Sequence, residues 1–126
     1  MEFPADLKYT KSHEWVRVEG EVATVGVTDH AQSEMGDIVY VELPEAGRVL
    51  QADETFGTVE SVKTVSDLFA PVAGEVVETN GSLAAQSELI NTDPYGDGWM
   101  VKIKIGDPGQ AEALMGAEAY QASLDD

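Results

Sequence analysis

The stretch "TVESVKTVSDLFAPVAGEV" holds Lys63, the single basic residue between Arg48 and Lys102, among apolar and small neighbours with Glu60 and Asp67 close by. A lone amine of this kind can act as a Schiff-base nucleophile, as an ion-pair partner or as the acceptor of an acyl group. A Schiff-base lysine needs burial or a second cation to depress its pKa, and Glu60 and Asp67 push the other way, so an enzyme built on Lys63 is discounted. Val62, Thr64 and Val65 are β-branched and no Gly or Pro punctuates the turn around Lys63. A hairpin tip of such residues is stiff and holds the amine away from the sheet, where a modifying enzyme can reach it and read the shape of the turn. The plain alternative is a solubilising surface lysine.

Other chemistry-bearing residues are few. The chain has no cysteine, which excludes disulfides, a thiolate nucleophile and a cysteine-built metal site, so sulfur redox chemistry has to arrive on a cofactor. His13 and His30 are the two histidines, and neither has a second ligand at a suitable spacing in sequence, so no metal is expected. Trp15, Trp99, Tyr40 and Tyr95 read as core or rim packing.

These residues need a frame, and the hydropathy pattern supplies a mainly β one. "EWVRVEGEVATVGVT" alternates around Glu19 and Gly20, the pattern of a hairpin. "DIVYVELPEAG", "FGTVESV", "FAPVAGEVVETN" and "WMVKIKI" continue with short strands punctuated by Gly, Pro and Asn, and "NTDPYGDGW" is turn chemistry before the last of them. The expectation is a small β-sandwich or flattened barrel. "TDHAQSEMG", with capping residues Thr28 and Asp29 and a closing Gly36, predicts a short helix of about two turns. Asp107 as N-cap and Pro108 just inside it predict a C-terminal helix over about 108–124, with Ala113, Ala117, Tyr120 and Leu124 on one face and Gly116 as its weak point. A faint likeness between "EGEVATVGV" and "AGEVVETNG" would suit two similar hairpins facing each other across a quasi-symmetric sandwich.

Bulk properties narrow the partners. The 126 residues, 43% hydrophobic and 25% charged, fit one ordinary globular unit, and no apolar run is long enough to span a bilayer. Twenty-four acids against seven bases give a formal charge of -17, which repels phosphate backbones and anionic lipid, so neither nucleic acid nor membrane is an expected partner. The acids are dispersed: either a solvated surface or a docking surface for basic patches on larger proteins. The N-terminus shows no secretory or transit pattern, which leads us to expect a bacterial cytoplasmic protein, or a mitochondrial matrix protein if it is a processed organellar form.

At this point four blocks taken together resemble a known family. "GTVESVKTVSDLFAPVAGEVVETN" closely resembles the lipoyl-attachment segment of the glycine cleavage system H proteins, centred on Glu-Ser-Val-Lys followed by small residues and Ser-Asp. "YTKSHEWV", "GVTDHAQSEMGDIVYVELPEAG" and "NTDPYGDGWMVKIK" resemble the other family blocks in the family's order. The resemblance implies a single lipoyl-carrier domain over 1–126 with a lysine-bearing β-turn around 60–67, and a carrier rather than an enzyme. It implies lipoate joined to Lys63 as N6-lipoyllysine, loaded with an aminomethyl group by a PLP-dependent glycine decarboxylase and unloaded by a tetrahydrofolate-dependent aminomethyltransferase. Reoxidation would fall to the FAD enzyme dihydrolipoamide dehydrogenase, and attachment to lipoylating enzymes. The carrier is expected to be a monomer.

The resemblance also points to Ser12, Glu14 and Asp67 as the polar groups of a cleft that shelters the loaded arm, whose amine is cationic. Some family members carry a histidine where Glu34 stands, so a histidine role at that position does not transfer. Biotin carriers flank their lysine with methionines, unlike Val62 and Thr64, and lipoyl domains of 2-oxoacid dehydrogenases favour Asp-Lys-Ala. An H-like protein that relays lipoyl groups to other enzymes, a lipoyl domain of the 2-oxoacid dehydrogenase type and an unmodified β-sandwich interaction module remain alternatives.

Overall fold

The computed structural model describes residues 3–124. Two open antiparallel sheets pack against each other. The larger takes β1 (Lys8–Tyr9), β2 (Glu14–Glu19), β3 (Val22–Val27), β5 (Val49–Leu50), β8 (Gly74–Thr79) and β9 (Val101–Ile105), in the order β1-β2-β3-β9-β8-β5. The smaller takes β4 (Ile38–Glu42), β6 (Thr55–Ser61) and β7 (Val65–Phe69), in the order β4-β6-β7. The expected mainly β, sandwich-like fold is therefore present, and neither sheet closes into a barrel.

The β2–β3 hairpin forms where the alternation predicts it. Glu19 pairs with Val22, leaving a two-residue loop whose first member, Gly20, has φ +64°, the backbone that primed hairpin turns require and that glycine adopts without steric cost. Val16, Ala23, Val25 and Val27 then face the smaller sheet and meet Ile38, Val41, Phe56, Val59 and Leu68 in the main core. Trp15, one residue out of phase, points to the opposite face.

Three paired apolar stretches break simple alternation, and bulges explain two of them. Ile38 is buried while Val39 and Tyr40 are exposed, and Val76 is buried while Val77 is exposed; a register irregularity lies at each point. Tyr40 is thus 54% exposed, neither a core nor a covered residue. "FAPVAGEVVETN" is the third, and it is not one strand. It leaves the smaller sheet at Phe69, turns through Ala70 to Ala73 and enters the larger sheet at Gly74. The two Gly-Glu-Val segments do not face each other either: β3 and β8 lie side by side in one sheet, separated by β9.

Helices seal the sandwich. α1 (Asp29–Met35) has the Thr28 hydroxyl accepting from the Ala31 N–H, and ends at Gly36 with φ +81°. α2 (Leu89–Thr92) offers Asn91, whose amide oxygen accepts from Ile38 N–H and whose NH₂ donates to Gly36 O, tying the end of α1 to the start of β4. At the C-terminus the structure has two helices in place of one over about 108–124: α3 (Pro108–Glu112) and α4 (Ala117–Leu124). The interruption is physical. Met115 exchanges two backbone hydrogen bonds with Tyr9 and so acts as a one-residue edge on β1. The break resets the helical phase, which leaves Ala113 exposed, whereas Ala117, Tyr120 and Leu124 do pack together on the outer face of the larger sheet. There Tyr9 and Tyr120 stack at 4.8 Å beside Trp15 and Leu7.

Among the described residues no helix is long and apolar enough to cross a membrane.

Candidate functional site

Lys63 stands at the tip of the β6–β7 hairpin. Ser61 N–H donates to Thr64 O at 2.8 Å, and the Ser61 hydroxyl accepts from Thr64 N–H at 3.1 Å and, at 3.4 Å, from Lys63 N–H. A buried serine side chain thus does the work a glycine or proline turn would otherwise do, which is why "SVKT" needs neither. Val62 N–H donates to Asp37 O, pinning the tip to the loop before β4. The outcome is a held backbone with exposed side chains: Val62 is 70% exposed and Lys63 is exposed, with no ion-pair partner among the described residues. The lysine stem runs toward the end of α1, its Cε 3.7 Å from where a Cβ on Gly36 would stand.

The last residues of α1 wall a cleft of about 390 Å³ at the open end of the sandwich. Its lining brings together all three residues picked out in sequence, Ser12, Glu14 and Asp67, with His13, His30 and Glu34, over an apolar floor that includes Val27, Met35, Val59 and Leu68. Asp67 sits on the edge strand β7 opposite Thr58 and is exposed. Glu14 is 1% exposed, because it opens β2 on the same face as Val16, where the two sheets begin to part.

A buried carboxylate needs partners, and Glu14 has them. Its Oε1 accepts from the Ser12 hydroxyl at 2.6 Å and the Thr10 hydroxyl at 2.7 Å, while its own N–H donates to Thr10 Oγ1. Burial still dominates and pushes the Glu14 pKa above its ordinary value; the hydrogen bonds from Ser12, Thr10 and the Phe69 backbone act against that rise, and the charge of Asp53 adds to it. The group is therefore a carboxylate short of positive charge, which a small cation in the cleft would supply.

The corner that carries Ser12 is unusual backbone. Thr10 N–H donates to Glu14 O and His13 N–H to Thr10 O, which closes a three-residue loop with His13 at φ +71°. Histidine tolerates this left-handed conformation better than most residues. It aims the ring at Tyr120, whose oxygen lies 2.8 Å from His13 Nδ1, and sets the ring centroid 4.9 Å from that of His30. Burial, then the neighbouring His30, lowers the pKa of His13, and Glu34 opposes them. The sequence places the two histidines 17 positions apart and contains no signal of this meeting. Thr10, His13, His30, Glu34 and Tyr120 are all part of the site's construction that residue spacing does not reveal. No group of three His, Asp or Glu side chains assembles around a metal position among the described residues.

Comparison with known proteins adds ancestry to this geometry. Residues 7–126 match the family described as Glycine cleavage H-protein. Among similar proteins, a glycine cleavage system H protein of Chlorobium phaeovibrioides is 61% identical over 122 residues, covering 95% of each chain. One of Bacteroides thetaiotaomicron is 57% identical over 122 residues and 97% of each. The crystal structure of a glycine cleavage system H protein from Mycobacterium marinum superposes with a TM-score of 0.90 at 38% identity, covering 98% of this chain and all of that one.

Proposed function

This chain belongs to the glycine cleavage H-protein family, and from that premise we propose that Lys63 is its lipoyl-attachment residue and that the cleft beside it shelters the loaded arm. The observation that carries the reading is the juxtaposition of an exposed amine on a held turn with a cleft containing a buried, hydrogen-bonded carboxylate. The residues present fit the group: an apolar floor for a hydrocarbon arm, carboxylates in the lining for a cationic amine, and a lysine on a turn held by the Ser61 hydrogen bonds.

Lipoate, when attached, supplies a disulfide that takes up and gives back an aminomethyl group and is regenerated by oxidation. The chain's own residues hold and release. Glu14 is the buried anion that an ammonium group would neutralise, Ser12 and Thr10 orient its carboxylate, and Asp67 and Glu34 provide negative potential near the mouth. The Lys63 stem, leaning over Gly36, sets out toward the cleft along the end of α1. Tethering keeps the labile cargo at high local concentration as the carrier moves between enzymes.

In this reading the partners are a PLP-dependent glycine decarboxylase, a folate-dependent aminomethyltransferase, dihydrolipoamide dehydrogenase and a lipoylating enzyme, and the chain itself turns nothing over. The bacterial origin of the relatives supports a cytoplasmic setting. The test is intact-mass measurement after expression in lipoate-competent cells. A lipoyl mass increment that disappears in Lys63→Arg is expected; an unmodified wild-type chain under saturating lipoate and ligase would overturn the proposal.

A further inference from the structure

We propose that Tyr120, on the C-terminal helix, is a positioning residue for this cleft: through a directed hydrogen-bond chain from Thr28 to Tyr120 to His13, it locks His13 in the tautomer that presents Nε2–H. The inference deepens the carrier reading and rests on it for its functional half; its structural half stands by itself.

The direction of the chain follows from accounting for each hydroxyl proton. Thr28 is fully buried and its Oγ1 accepts from Ala31 N–H as the N-cap of α1. Its own proton needs an acceptor, and the remaining contact of that oxygen is the Tyr120 hydroxyl at 2.9 Å. With the Tyr120 oxygen accepting from Thr28, the Tyr120 proton goes to the other neighbour, His13 Nδ1 at 2.8 Å. Nδ1 is then an acceptor, the imidazole is neutral and its proton sits on Nε2. The opposite direction would send the Tyr120 proton to Thr28 Oγ1 and leave the Thr28 proton without a place. Burial of the tyrosine, the largest influence on it, together with the charge of Glu14, also keeps its proton on.

The chain spans both walls of the cleft. Thr28 begins the helix that bears His30, Ala31, Glu34 and Met35, and its N–H donates to His13 O, whereas His13 lies between Ser12 and Glu14 in the corner that holds the buried carboxylate. Tyr120 reaches this point from the outer face of the larger sheet, its ring fixed by the stack on Tyr9. The groups facing His13 are His30 and Glu34 from α1 and Tyr120 from α4, and the charge of Glu14, next to His13 in sequence, acts on Tyr120. A neutral His13 adds no positive charge to a cleft that has to accept a cation. A His13 freed from Tyr120 is easier to protonate and would compete with that cation for the carboxylates.

Two measurements test this. In the unlipoylated wild-type protein at neutral pH, side-chain 15N NMR is expected to show His13 with Nδ1 unprotonated and Nε2 protonated; a protonated Nδ1 would refute the chain without any variant being made. In Tyr120→Phe, which keeps the ring and its stack, His13 is expected to become a tautomer mixture and to titrate at higher pH. In the lipoylated, aminomethyl-loaded protein the same variant is expected to release its load about two- to tenfold faster, the worth of one net hydrogen bond, with Lys63 acylated as in wild type. An unchanged His13 tautomer and titration, or an unchanged release rate, overturns the positioning role. If wild-type protein is not lipoylated the carrier reading fails, and if Glu14→Ala releases its load no faster than wild type Glu14 is removed from the shelter; in either case the tautomer result still decides the hydrogen-bond chain.

Discussion

The Lys63 turn, whose lysine stem lies beside the end of α1, and the Thr10–Glu14 corner, which lines the cleft, are held in opposite ways. The turn is fixed by contacts within four residues, Ser61 to Thr64, plus one backbone link to Asp37, and presents its side chains to solvent. The corner is fixed by Thr10 and Ser12 locally, but also by Tyr120, 107 positions away, and it buries a carboxylate. An exposed side chain has few packing contacts, so its turn is held through its own backbone. A buried carboxylate needs desolvation, and desolvation comes from the rest of the fold.

The largest test of that contrast is Lys63→Arg. Charge is kept and no core contact is lost, so the thermal midpoint should equal that of wild type while glycine-dependent exchange in the reconstituted system drops to background; retained exchange would place the acylated amine elsewhere. Next is Glu14→Ala, expected to leave lipoylation intact and to shorten the lifetime of the loaded form by about tenfold or more, in keeping with the loss of a charged hydrogen-bond acceptor. An unaltered lifetime would remove Glu14 from the shelter.

The buried carboxylate also makes a prediction about acid and base. Folding raises the Glu14 pKa above 4.5, so the folded state holds this proton more tightly than the unfolded chain does. Its contribution to stability is present below that value and is lost as pH rises through the folded one. Denaturation across the acid range should show this loss, and Glu14→Gln should flatten it. Protection of a cationic load runs in the other sense, failing as pH drops through the folded pKa and the carboxylate is neutralised.

Smaller effects sharpen the same comparison. Ser61→Ala removes the hydroxyl that replaces a glycine turn and should cost about 1 kcal/mol in denaturant unfolding, with slower lipoylation but normal release from whatever is loaded. Ser12→Ala removes one of two side-chain donors to Glu14 and should speed release by only a few-fold, because Thr10 remains. Equal effects of Ser61→Ala on loading and on release would mean that the two regions are not separable.

Local structure was legible from residue types. The caps of α1 at Thr28 and Gly36, the Gly20 hairpin turn and the Asp107–Pro108 helix start each obey rules that reach no further than four residues. The residue pattern alone overextends the C-terminal helix, because Met115 is recruited by Tyr9, a distant strand edge, and no short window of sequence contains both. Tyr40 departs from its apolar context for a similar reason: a register irregularity in β4 lies beside it, and it is exposed. Glu14, Ser12 and Asp67 could be singled out by resemblance, but that they share one cleft with His13 and His30 is a matter of how two sheets and a helix meet.

By itself, then, the order of residues determined the mainly β character, the β2–β3 hairpin, the caps of α1 and that Lys63 would sit on a stiff corner, since backbone propensity, capping and turn chemistry act over a few bonds. Only the tertiary structure decided that Glu14 is dry, that His13 meets both His30 and Tyr120, and that the helix ending the chain underpins the cleft near its beginning. Desolvation and long hydrogen-bond chains depend on which distant surfaces exclude water together, and packing alone sets that.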